Sequence, residues 1–287
     1  MVGGADGRTF DQAGGSSPTA VARAFPSPHR RPSRSGPGAR GYPADVTTDA
    51  PVPLFRSDMD VELVKHTAQD SDVLFAARVS TRGEASLQDV GVDAAQSAGL
   101  IRYLMRDRHG SPFEHAVMTF YVSAPLFVFR EFQRHRVASY NEESGRYRQM
   151  RPVFYVPGPE RRLVQVGKPG AYDFEVGTPE QHRLVLERTT EACLGAWQAY
   201  LDMLEAGVAR EVARIVLPLS LYSSMYVTLN ARSLMNVLSL RTKREDSTFP
   251  SYPQREIELV AEQMETAWAG LMPLTHAAFD QGGRVAP

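Results

Sequence analysis

A single cysteine, Cys193, serves all 287 residues of this chain. One thiol excludes an intramolecular disulfide and any metal site built from several cysteines, and it suits a reducing compartment. Long apolar runs are missing as well. None approaches the roughly 20 residues that span a bilayer, and the first residues lack the apolar core of a secretory signal. An excess of one charge is also absent: 32 Lys and Arg against 33 Asp and Glu give a net charge of −1. A dedicated nucleic-acid binder is visibly basic, so any positive charge here acts locally. No G-x-G-x-x-G follows a strand pattern and no G-x-x-x-x-G-K-[ST] occurs, so neither Rossmann nor P-loop binding is supported. The apolar content, 43%, is ample for a buried core. These exclusions leave a cytoplasmic protein with neither membrane nor nucleic-acid partner.

Residues 1–53 are rich in Gly, Pro, Ser and Arg and show almost no apolar period, which predicts a disordered tail ahead of one domain over 54–287. Within that domain DVELVKH (60–66) alternates as a strand, and Ser71 is placed to cap a helix over 71–80. A helix over 93–106, a strand over 115–123 and a helix opened by Pro125 and running to Arg134 follow. Residues 152–178 hold several Pro and Gly and read as loop with short strands. Thr178 and Pro179 form an N-cap and N1 pair, and Gly207 is placed to end the long helix they open. Leu194, Trp197, Leu201 and Leu204 share one face of it, as Ile257, Val260, Met264, Trp268 and Leu271 share one face of a second helix. Such stripes are core or oligomer interface. The expected class is α/β (α+β): a mixed sheet with flanking helices, two of them long and amphipathic.

Chemistry concentrates between Arg130 and Arg151, where six arginines meet three glutamates, interleaved with Gln133, Ser139, Asn141 and two tyrosines. On composition alone three readings stay open: a solvated helix face, a contact with a nucleic-acid backbone, or a small-nucleotide site. The guanidinium fork binds phosphate oxygens bidentately and stacks on flat rings, which suits the third. Ser144 has no His-Asp relay nearby, so a phosphate-binding hydroxyl fits it better than a nucleophile. Cys193 sits mid-helix in an apolar setting, where a thiol is structural. His109 and His135 have no metal-ligand spacing with another His or acid, and no metal is expected.

The order of these residues carries a resemblance. Arg134-His-Arg136, seven residues, then Ser144-Gly-Arg-Tyr147 is the signature of flavin-dependent thymidylate synthases. His109-Gly-Ser-Pro-Phe-Glu-His115 resembles that family's upstream segment, and Ala213–Pro218 and Asn230–Asn236, ending at Arg241, resemble its second and third site segments. The likeness runs over about residues 55–285.

That resemblance implies reductive methylation of dUMP to dTMP without a cysteine nucleophile, using FAD, with methylenetetrahydrofolate and NADPH as co-substrates, in a homotetramer. It implies flavin contacts from His109, Ser111, Arg134, His135, Arg136, Glu142, Asn230, Arg232 and Asn236. Substrate contacts fall on Glu131, Phe132, Gln133, Arg134, Glu142, Glu143, Ser144, Gly145, Arg146, Arg214 and Arg241, with Arg241 set against N3 and O4 of the uracil as the catalytic group. Two departures stand out. Glu131 replaces the glutamine of some relatives, and a carboxylate accepts but does not donate. After Arg241 the segment 242–253 is longer than expected, with Tyr252 or Pro253 near where a histidine would fall. Two rival readings are an arginine-rich nucleic-acid module without catalysis and a general flavin reductase.

Overall fold

In this computed structural model, which describes residues 52–88, 94–169 and 171–287, two strands lead into two helices: β1 (Leu54–Arg56), β2 (Asp60–His66), α1 (Asp70–Arg82) and α2 (Ala94–Arg106). Strand β3 (Val117–Pro125), helix α3 (Leu126–Phe132) and strands β4 (Ser139–Glu142), β5 (Val153–Tyr155), β6 (Val164–Lys168) and β7 (Ala171–Glu175) come next. The chain continues through α4 (Pro179–Glu205), α5 (Arg210–Ala213), β8 (Tyr222–Asn230), α6 (Ala231–Arg241), α7 (Arg255–Leu271) and α8 (Pro273–Gln281). The tail expected over 1–53 lies, up to residue 51, outside the described residues, as does Asp93 at the start of the expected second helix.

The main sheet is antiparallel, in the order β2-β3-β8-β4. Its central pair runs in unbroken register from Val117 opposite Asn230 to Pro125 opposite Tyr222. Period-two alternation puts Met118, Phe120 and Val122 of β3 beside Met225, Val227 and Leu229 of β8 on one face, all buried. Against that face pack Leu234, Val237 and Leu238 of α6 and Ile257, Val260, Met264 and Trp268 of α7. Fully burying a side chain of this size contributes about 1.5–3 kcal/mol, so this layer is the main source of stability. The opposite face is half open: Thr119 and Thr228 share a hydrogen bond of 2.9 Å, and Tyr121 meets Tyr226 edge-on at 6.0 Å. A smaller core gathers Met150, Phe154, Trp197, Tyr200 and Leu221 around Cys193.

Several expectations need correction. Helix α1 begins at Asp70 with Gln69 as its N-cap; Asp72 accepts from the Gln69 N–H at 2.8 Å, and Ser71 lies inside the first turn. Helix α3 stops at Phe132, two residues before Arg134, with Gln133 as C-cap and Pro125 as N-cap. On α4 the inward stripe is Cys193, Trp197 and Tyr200, while Leu194 is 43% exposed, because the face turns about one residue from the expected one. The Thr178 cap and its reciprocal bond with Gln181 are present. Gly207 ends α4 in the left-handed region (φ 80°), with Gly207 N–H donating to Leu204 O and Val208 N–H to Met203 O. Strands β4 and β8 carried no sequence expectation, although β8 is central to the sheet.

Candidate active site

The Arg-His-Arg turn hangs between α3 and β4, and one tyrosine ties it down. Tyr140 Oη lies 2.7 Å from Phe132 O and 2.8 Å from His135 O, a donor shared between the carbonyls at either end of the turn. Phe132 ends α3 and its carbonyl also accepts from the His135 N–H at 2.9 Å, so the Tyr140 contact fixes the loop that carries Arg134, His135 and Arg136. Arg134 and Arg136 project into solvent, and His135 is half-buried.

His135 is the hinge of the site. Its Nε2 accepts from Arg241 Nε at 3.1 Å. A guanidinium only donates, so the ring carries its proton on Nδ1. Burial first, and the Arg241 charge second, push its pKa down to about 4, so it is neutral near pH 7. Arg241 closes α6 and also donates from Nη1 to Glu131 Oε2 at 2.7 Å; the two side chains are 20% and 22% exposed. Burial raises the Glu131 pKa, Arg241 pulls it back and Glu256 adds to the rise. The other Glu131 oxygen is buried without a partner, as is Oε2 of Glu256, whose Oε1 accepts from Tyr155 and Arg161 at 2.6 and 2.7 Å.

A cavity of about 450 Å³ opens beside this hinge, lined in part by His135, Arg136, Arg232 and Asn236. Asn230 caps α6 through its side-chain oxygen to Ser233 N–H at 2.9 Å, which aims the first turn. Arg232 and Asn236, four residues apart, therefore share a face. Arg232 is held by Glu114 at 2.6 Å and by Pro287 O at 2.6 Å. It crosses Gly110 so closely that a Cβ there would lie 2.5 Å from Arg232 Nε and 2.8 Å from Pro287 O. Apolar walls come from Val137, Ala138, Leu229 and Val237. A planar ring system with a charged tail fits that donor set, so the residues suit the flavin that the resemblance implies.

The remaining candidates form a second group around β4 and its return. Glu142 accepts from Ser223 Oγ at 3.1 Å and Glu143 from Ser224 Oγ at 3.2 Å, and Glu143 also forms an ion pair with Arg148 Nε at 3.1 Å. Both carboxylates line a cavity of about 330 Å³ on the open face of the sheet. Ser144 begins a tight turn, its hydroxyl 3.3 Å from the Arg146 N–H. At Gly145 a Cβ would meet Arg214 Cδ at 3.2 Å and Met150 Sδ at 2.9 Å, so the missing side chain lets Arg214 lie against the turn. Arg146 pairs with Glu211 at 2.9 Å, with both groups about half exposed. The result is two guanidinium groups and a hydroxyl around one turn, which can enclose a phosphate.

Not every candidate joins these groups. His109 is exposed and stacks on Tyr103 at 5.7 Å, and Ser111 sits next to it on a 3-10 turn, neither lining the 450 Å³ cavity. The Phe132 side chain is fully buried in the core, so only its backbone faces anything else. Gln133 is exposed at the end of α3. Tyr252 and Pro253 line a separate cavity of about 420 Å³ with Arg161, Phe174 and Lys243. Sequence reasoning missed Tyr140, Ser223, Ser224 and the role of Glu114. Tyr140 lies inside the Arg-His-Arg to Ser spacing and was the one recoverable signal. Cys193 is buried, 3.3 Å from Ser220 Oγ, and burial pushes its thiol up, away from the thiolate a nucleophile needs. Among the described residues one group with metal-ligand spacing exists, Glu265, His276 and Asp280, and Arg284 donates into it.

Comparison with known proteins gives a consistent result. The family model described as thymidylate synthase complementing protein matches residues 62–274. A flavin-dependent thymidylate synthase of Streptomyces coelicolor is 64% identical over 244 residues, 85% of this chain and 99% of that one. One of Tropheryma whipplei is 61% identical over 235 residues, 82% of this chain and 98% of that one. Among solved structures, the UMP/dUMP methylase PolB from Streptomyces cacaoi bound with 5-Br dUMP superposes with a TM-score of 0.78 at 55% identity, covering 82% of this chain and all of that one.

Proposed function

Because the chain belongs to the family of flavin-dependent thymidylate synthases, we propose that it converts dUMP to dTMP by reductive methylation, with FAD as cofactor and methylenetetrahydrofolate and NADPH as co-substrates. Bound FAD supplies the hydride chemistry, and the protein contributes binding, orientation and electrostatics. The observation that carries the site assignment is the contact between His135 and Arg241 at 3.1 Å. It joins the cavity holding Arg136, Arg232 and Asn236 to the guanidinium proposed to face the pyrimidine.

In this reading Arg241 is the catalytic group. A fixed guanidinium against N3 and O4 stabilises negative charge on the uracil ring and makes C5 electron-rich, with no thiol adduct. Neutral His135 orients Arg241 and donates through its Nδ1–H. Glu131 balances the charge of Arg241 until the nucleotide arrives, and Gln133 and Arg134 meet the sugar and base edges. Arg146, Arg214, Ser144 and the amides at Gly145 hold the phosphate, with Glu142 and Glu143 placing that turn. Arg134, His135, Arg136, Glu142, Asn230, Arg232 and Asn236, with His109 and Ser111, hold the flavin.

We also propose a homotetramer. It rests on the separation of the candidates into two groups and on apolar surface beside Arg214: Val212, Val216 and Leu219 are exposed there, and Ile215 is 75% exposed. Contiguous apolar surface of this kind marks an interaction face. A domain over 54–287 and a cytoplasmic site of action belong to the same reading; no helix among the described residues is long and apolar enough to cross a membrane.

Purified Cys193→Ala protein, supplied with dUMP, methylenetetrahydrofolate, NADPH and FAD, tests the reaction. Flavin-dependent dTMP formation without the only thiol is expected. A folded variant that makes none, where wild type does, refutes the thiol-free mechanism. NADPH oxidation independent of dUMP and folate identifies a general flavin reductase instead.

A further inference from the structure

Next to the active site a second cleft, of about 610 Å³, lies between α2 and α8. Its charged lining is all guanidinium, from Arg102, Arg106 and Arg108, with no carboxylate among the lining residues. Arg102 is exposed and takes part in no ion pair among the described residues. Arg106 pairs with Asp107 at 2.8 Å, an exposed contact that an incoming anion can displace. The nearest acid on α8, Asp280, is already held by Arg284 and His276.

Two further features give the cleft a direction. Arg108 follows α2 in the left-handed region, with φ 61°, a conformation uncommon for a side chain of this size. It lines both this cleft and the 450 Å³ cavity, so its guanidinium stands where one opens beside the other. Tyr103 forms an aromatic platform in the cleft: it is 45% exposed, stacked on His109, with the Arg106 guanidinium 5.5 Å over its ring.

We propose that this cleft binds the polyanionic tail of an extended substrate whose reacting end enters the active site past Arg108. The inference rests on the function proposed above, because that reaction needs two co-substrates with such tails. A folate carries an aryl ring followed by γ-linked carboxylates, and a nicotinamide dinucleotide carries phosphates. A flat ring on Tyr103 with anions on three guanidiniums is one arrangement for both.

The test compares equilibrium binding of pteroyl monoglutamate and pentaglutamate to the FAD-loaded enzyme, and of NADP⁺ and NAD⁺, in wild type, Arg102→Gln and Arg102→Lys. Each part-exposed guanidinium contributes about a two- to fivefold effect, so a preference of about tenfold for one polyanionic form is expected in wild type, shrinking with added salt. Arg102→Gln narrows that preference about threefold and Arg102→Lys keeps most of it. Narrowing confined to the glutamate series assigns the cleft to folate; narrowing confined to the phosphate series assigns it to the dinucleotide. Preferences that survive Arg102→Gln in both series overturn the proposal. Binding is read apart from turnover, so a wild-type enzyme that makes no dTMP from the monoglutamate would refute the reaction and leave this result intact.

Discussion

Replacing Arg241 with glutamine separates its chemical role from its structural one. The guanidinium is 20% exposed and fixed from two sides, by Glu131 at 2.7 Å and His135 at 3.1 Å. Removing one such oriented donor from a water-poor site costs about 2.7–4 kcal/mol of transition-state stabilisation, or about 10²–10³ in kcat. Stability should change less. Glu131 loses the charge that holds its pKa down and the donor to its Oε2, its other oxygen being buried without a partner already, a cost of about 1–3 kcal/mol. For a domain of this size that is a Tm loss of roughly 2–12 °C. The sign of the pH effect is fixed as well: with its pKa raised further, Glu131 is neutral at low pH and costly when ionised, so the variant loses stability as pH rises through that pKa. The assays are dTMP formation at saturating substrates and thermal unfolding between pH 5 and 8. A variant with kcat within about threefold of wild type refutes the polarising role. A loss of activity that tracks unfolding alone would reduce Arg241 to a structural residue.

Three other outcomes follow from the same geometry. Ser144→Ala should keep forming product while binding dUMP more weakly, by about five- to tenfold for one lost phosphate contact; complete loss of turnover with normal binding would reinstate a nucleophile. Gly110→Ala pushes a methyl into Arg232 and Pro287 O, so FAD retention after gel filtration should fall about tenfold with the fold intact, and unchanged retention would exclude Arg232 from the cofactor site. Glu265 is pushed up by burial but held down to about 2 by His276 and Arg284, from an ordinary value of 4.5. Its contribution, on the order of 3 kcal/mol, is present above 4.5 and lost as pH falls toward 2. Wild type should lose Tm over that window and Glu265→Gln should lose less; parallel curves would refute it.

What the sequence disclosed follows from the kind of interaction that fixes each part. Strand β2 and helices α4 and α7 were legible because their signals are local: an alternating stretch, a Thr-Pro cap, a four-residue stripe of Ile257, Val260, Met264 and Trp268. Strand β8 was not, because YSSMYVTLN interleaves apolar residues with hydroxyls that serve as partners to Glu142 and Glu143, a requirement set by β4, eighty residues away. The end of α3 was placed late for a similar reason: Gln133 and Arg134 are good helix formers, and the contacts of Tyr140 override that propensity. Arg241 and Arg232 could be named from their motifs, but Glu131 as the partner of one and Glu114 as the partner of the other emerge only when α3, α6 and the 111–114 turn meet.

Those partners explain how so many arginines coexist in one site. Arg241, Arg232 and Arg146 are each held by a carboxylate from another segment, Glu131, Glu114 and Glu211, and Arg148 by Glu143 of its own turn. Such a pair adds little stability at the surface, but it orients a guanidinium while cancelling its charge. Arg134 and Arg136, next to His135, have no ion pair among the described residues and remain net positive. His135 between them stays neutral, through burial first and the Arg241 charge second. In the proposed reading, the free positive charge and the charge that polarises a ring are therefore carried by different arginines. The first, on Arg134 and Arg136, is unpaired and exposed, where long-range attraction acts. The second is paired and half-buried, where orientation and low local polarity strengthen its effect on a bound ring.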